Sequence, residues 1–83
     1  MIKIDVNMSR HMPIQREMAM KITSVADKYL STLTLEHKGI VLNLKSMIGL
    51  LSQSIPKDGH MTLVADGADE KNALEAVLSV INE

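Results

Sequence analysis

Ile2, Ile4, Val6 and Met8 alternate with Lys3, Asp5 and Asn7, the period of a strand with one buried face, and predict a first strand over residues 2–8. Residues 9–13 form a polar loop, in which Pro13 fixes a bend or the first turn of a helix. Ile14, Met18, Ile22, Val25 and Tyr29 then recur at helical spacing, with Ala19 and Ala26 beside them and Arg16, Lys21 and Lys28 on the other side. The spacing predicts a helix from about Gln15 to Lys28. Leu33 and Leu35 alternate with Thr32, Thr34 and Glu36, His37-Lys38-Gly39 offers a turn, and Ile40 to Leu42 returns as a strand, together a hairpin.

A short helix is expected over residues 46–53, opened by Ser46. Ser54 to Gly59 holds the turn formers Pro56, Asp58 and Gly59, and His60 to Ala65 reads as a fourth strand ended by Asp66-Gly67. Asp69 is placed to cap a last helix, Glu70 falls in its first turn, and Leu74, Val77, Leu78 and Ile81 form its apolar stripe. The order is βαββαβα. Alternation in strands one, two and four implies one wet face, so the expected fold is α+β: a four-stranded antiparallel sheet with three helices on one face. Residues 1–83 read as a single domain, with no internal repeat or linker to divide them.

Composition narrows the function more than the fold. The chain has no cysteine, so neither a disulfide nor a thiolate metal site is expected, and its three histidines lack metal-ligand spacing. No cofactor is expected. Tyr29 is the one aromatic residue among 83, which argues against base stacking, and a net charge of −1 gives no overall field for nucleic acid or anionic lipid. The alternating start does not read as a secretory signal and no stretch approaches a membrane span, so a soluble cytoplasmic protein is expected.

The stretch from Val41 to Leu51 joins a strand to a helix and concentrates the candidate chemistry. Ser46 can accept a bond from the free N–H groups that open the helix, and Met47, Ile48, Leu50 and Leu51 follow as an apolar run. Two turns cannot hide all four; residues 47 and 51 share one face and 48 lies on another, so at least one pair should be exposed. An exposed apolar patch beside a phosphorylatable serine reads as a docking surface, which Met12, Met18 and Met20 can extend. Met18 itself is expected to be buried. Strand one, if it lies at a sheet edge, is open to pairing with another chain.

These elements carry a resemblance. Leu35-Glu36, Gly39 and the run Asn43-Leu44-Lys45-Ser46-Met47-Ile48-Gly49 resemble the regulatory serine motif of the HPr family, the histidine-containing phosphocarriers of the bacterial sugar phosphotransferase system, with the usual Ile-Met inverted to Met47-Ile48. Thr62-Leu63, Gly67-Ala68-Asp69-Glu70 and Ala73-Leu74 resemble the family's last strand and helix, and Ala26, Lys28 and Tyr29 fit without a gap. The resemblance implies an open-faced β-sandwich. Carried back from Tyr29, the family's active-site motif, Gly-hydrophobic-His-Ala-Arg-Pro, falls on Pro13-Ile14-Gln15-Arg16-Glu17-Met18. Gln15 thus replaces the phosphoacceptor histidine, and an amide lacks the nucleophilic lone pair of an imidazole. Glu17 stands where the family places an arginine that holds phosphate, and its charge would repel one.

Crh-type members of the family also carry glutamine at the matching position and are thought to act as phosphoserine-dependent corepressors. The resemblance therefore implies a non-enzymatic regulatory or binding protein. Its expected partners are a serine kinase of the HPr kinase type acting on Ser46 and a catabolite-control transcription factor. Gln15, Lys45, Met47, Ile48, Leu50 and Leu51 are the candidate partner-binding residues. Glu17 departs from the Crh pattern too, because the family's arginine there helps bind the repressor. One alternative is an active phosphocarrier using His11, although Arg10 precedes His11 where the family's histidine precedes its arginine. Another is a diverged paralogue serving an unrelated partner. His37 and His60 read as ordinary surface residues.

Overall fold

Among the described residues, seven elements form in the predicted order: β1 (Ile2–Asn7), α1 (Arg16–Ala26), β2 (Thr32–His37), β3 (Ile40–Asn43), α2 (Met47–Ser52), β4 (His60–Asp66) and α3 (Glu70–Ile81). The computed structural model describes residues 1–9, 14–52 and 59–83. The expected bend at Pro13, the His11 site and the turn at Pro56 and Asp58 lie outside the described residues, as does the last residue of the 46–53 helix.

The four strands make one antiparallel sheet in the order β1-β4-β2-β3. Its ladder continues past β1, since the Met8 N–H donates to the Gly59 carbonyl at 2.8 Å. The hairpin between β2 and β3 turns on Lys38 and Gly39, both at positive φ (44° and 87°), the pattern of a type I′ turn whose twist matches the strands it joins. Its two-residue loop leaves His37 in β2, paired with Ile40, rather than in the turn.

Helix α1 is shorter than the apolar stripe predicts. Past Ala26 the bonds tighten: Lys28 N–H reaches back only to Val25 and Tyr29 N–H only to Ala26, so the α-helical ladder has ended. Leu33, Leu35, Leu42 and Leu63 point into the core from the sheet, against Ile22, Leu50 and Val77 from the helices. Ala19, Ala26 and Ala73 are fully buried, and small residues there let the helices lie close in a core without a phenylalanine or tryptophan. The helices cover one face and leave the other open, as the alternation predicts. The open face is not wet throughout: Val64 lies on it, between Lys3 and Thr34 in the register, and is buried. No helix among the described residues is long and apolar enough to cross a membrane.

Candidate functional site

Ser46 caps α2. Its Oγ accepts the Gly49 N–H at 3.1 Å, and its carbonyl accepts the first helical bond, from Leu50 N–H at 3.1 Å. Asn43 prepares the turn before it, since its side-chain oxygen accepts the Lys45 N–H at 2.9 Å and its carbonyl the Ser46 N–H at 3.0 Å. The Ser46 side chain is half-buried.

The apolar run beyond Ser46 divides by depth. Leu50, 1% exposed, belongs to the core, and Met47 packs half-buried against it. Ile48 is 80% exposed and Leu51 45%. The exposed pair is therefore Ile48 and Leu51, three residues apart on one helical face, and Leu50 drops out of the candidate docking set because it anchors the helix from below.

The Lys45 ammonium is held by the turn that follows α1. Its Nζ donates to the Tyr29 carbonyl at 2.7 Å, in the turn that ends α1. From the other side, Asp69 holds the same turn: its carboxylate accepts the backbone N–H groups of Leu30 and Ser31, both at 2.9 Å, and the Ser31 hydroxyl. The expectation that Asp69 caps α3 with its side chain is thus corrected. Asp69 stands at the N-cap position but directs its oxygens to residues 30 and 31, where two N–H groups and a hydroxyl converge. These bonds, the Ser31 hydroxyl's first among them, hold its pKa below the ordinary carboxylate range. Glu70, in the first turn of α3, is lowered as well, first by the Met1 amino group at 3.0 Å and then by the Gly67 N–H.

Sequence reasoning missed this double clamp, and with it Leu30, which projects from the clamped turn 87% exposed. The available signal was a leucine standing outside both the helical stripe and the strand alternation.

Gln15 occupies the N-cap position of α1 with extended backbone and no capping bond from its side chain, and Gln15, Arg16 and Glu17 are exposed. Met18 is half-buried against the core rather than hidden, and Met20 is exposed. Glu17 and Met20 line a groove of about 620 Å³ between α1 and α3, with Lys21, Val25, Val80 and Glu83. Gln15 stands at the N-terminal end of α1, and the Lys45 ammonium reaches the turn that follows its C-terminal end. Helix α2 packs on α1. His37 is half-buried and His60 exposed, with His60 Nε2 3.4 Å from the Asn7 amide, and no group of three metal-ligating side chains converges among the described residues.

Comparison with known proteins agrees with this architecture. The profile of the family described as "PTS HPr component phosphorylation site" matches residues 3–83. HPr-C-His of Thermoanaerobacter tengcongensis superposes with a TM-score of 0.87 at 23% identity, covering 99% of this chain and 92% of that one. The histidine-containing phosphocarrier protein of Mycoplasma gives 0.86 at 22%, covering 96% and 91%. Crh of Bacillus subtilis, solved as a domain-swapped dimer, gives 0.76 at 32% identity over 83% of this chain and 79% of its own. With the profile spanning nearly every residue and Crh sharing a third of the aligned positions, the chain belongs to the HPr family of the phosphotransferase system.

Proposed function

We propose that this HPr-family protein is a regulatory binding module rather than a phosphocarrier, with Gln15 in place of the phosphoacceptor histidine and phosphorylation of Ser46 as its switch. The observation that carries this reading is the exposed pair Ile48 and Leu51 on the short helix that Ser46 caps. An apolar patch within one turn of a modifiable hydroxyl lets about two added negative charges change which partner docks there. The docking set is Met47, Ile48 and Leu51, with Lys45 beside them and Gln15 at the N-terminal end of α1. The partners this implies are a serine kinase of the HPr kinase type and a transcription factor of the catabolite-control kind; the protein itself is non-catalytic and acts in the cytoplasm. Glu17, an exposed negative charge at the start of α1, sets it apart from Crh-type corepressors and selects a partner surface that tolerates it.

The test incubates the full chain in two reactions, one with enzyme I and phosphoenolpyruvate and one with HPr serine kinase and ATP. Phosphate is then mapped by mass spectrometry under conditions that preserve phosphohistidine. Phosphate on Ser46 alone is the expected result. Label on His11 would make the protein a rearranged phosphocarrier, and silence in both reactions would place it outside the pathway as a diverged paralogue with another partner.

A further inference from the structure

Strand β1 lies at an edge of the sheet, and its ladder shows which backbone groups that edge presents. Met8 N–H bonds the Gly59 carbonyl, so the pair 8 and 59 is hydrogen-bonded, and by the alternation of antiparallel ladders so are Val6 with Met61, Ile4 with Leu63 and Ile2 with Ala65. The N–H and C=O groups of Lys3, Asp5 and Asn7 therefore point away from β4, and no strand of the described residues pairs with them. Beside this edge runs a groove of about 470 Å³, walled by Ile4 and Val6 of β1 and by Leu78 and Ile81 of α3. Ile4 occupies an inward register position, yet it is 38% exposed where its neighbour Val6 is buried. Helix α3 thus shelters a strip of apolar surface beside the last strand, and the sheet beneath it is one strand short.

We infer that the β1 edge and the α3 flank together form a strand-addition site for an extended segment of a partner protein. Regularly spaced pairs of N–H and C=O groups are matched only by another extended backbone, and a groove alongside them takes every second side chain of that strand. The neighbouring charges set the rest of its chemistry. In an antiparallel addition, the incoming strand faces Asp5 before Lys3, so the segment reads apolar-basic-apolar-acidic-apolar. Its apolar side chains lie on Ile4, Leu78 and Ile81, and its basic residue meets Asp5 on the open face. Sheet position separates this surface from the Ser46 patch, since α2 packs by β3 at the opposite edge.

The test is a display selection with peptides of about eight residues, valine at alternate positions and random residues between. The full chain is the bait and its Asp5→Pro variant the counter-bait. Proline at position 5 removes an N–H that the ladder with β4 does not use, so it blocks addition and spares the fold. Ile4→Lys, which sets a charge in the groove without touching the backbone, decides the matter if Asp5→Pro loses its native amide spectrum. The expected peptides carry the basic-before-acidic order and slow hydrogen exchange at the Lys3 and Asp5 amides. They bind the variants at least roughly tenfold more weakly. Absence of enrichment, or peptides that bind the variants equally well, would overturn the proposal. So would exchange protection at these amides that grows with protein concentration alone, which would assign the edge to a second copy of the chain.

Discussion

Asp69 and Ser31 stand 38 residues apart in the chain and are joined twice, the carboxylate accepting both the backbone N–H and the hydroxyl of the serine. Ser31 is buried, so its hydroxyl has no water to turn to when the acceptor is lost. Asp69→Ala should lower the urea midpoint with an unchanged denaturant slope, and by more than Ser31→Ala, which deletes one of the three bonds. Equal effects would mean that the two backbone N–H groups find other partners.

The same carboxylate predicts an acid dependence. Its pKa is lowered in the fold, first by the Ser31 hydroxyl, so the stability it confers is complete above the unfolded carboxylate value of about 4 and disappears as pH falls through the lower folded value. Asp69→Asn should flatten the fall of stability in that window and leave the profile above it parallel to the parent's. Chemical denaturation at a series of pH values reads this directly. Glu70, lowered in the same direction, keeps part of the slope in the variant.

Ser46→Ala removes the oxygen that accepts the Gly49 N–H and should cost about 1 kcal/mol, while Ser46→Asp keeps an acceptor at the cap and should stay within about half of that. If both variants lose equal stability, the cap is not what the serine supplies to the fold.

Adjacent positions in α2 should separate folding from docking. Leu50→Ala empties a core site and should cost about 2–5 kcal/mol, whereas Ile48→Asp changes an exposed side chain and should shift stability by no more than about 0.5 kcal/mol. Ile48→Asp should nonetheless abolish binding of any partner that recognises the Ser46 patch, as calorimetry with that partner would record.

Gly59 holds the end of the β1–β4 ladder at φ 71°, and a Cβ there would lie 2.3 Å from the Ser9 nitrogen. Neither the backbone angle nor the space admits a side chain. Gly59→Ala should cost more than about 1 kcal/mol and speed hydrogen exchange first at Met8, whose N–H bonds the Gly59 carbonyl.

Local periodicity made the strands and both long helices legible, because burial of alternate or helically spaced residues is a property of a few neighbours at a time. The resemblance at Asn43 to Gly49 marked Ser46 for the same reason: a cap and its helix are contiguous. Asp69 could not be read that way. Its oxygens bind residues 30 and 31, contacts fixed only once β2 and α3 have been brought together. Lys45 turned to Tyr29 by the same kind of non-local geometry. In α2 the six residues made too little period to say which apolar pair would surface, and the core decided it by taking Leu50. Val64 shows the limit on the other face, where alternation predicts water and the side chain is buried.

The strand order has a consequence for synthesis. β4, made after the other three strands of the sheet, sits between β1 and the β2–β3 hairpin. A chain emerging from the ribosome can close that hairpin early, but its first strand has no neighbour until residues 60–66 appear. More than fifty residues lie between β1 and β4, so the sheet closes as a long-range event, and any premature stop before β4 leaves a hairpin and a loose strand in place of a sheet.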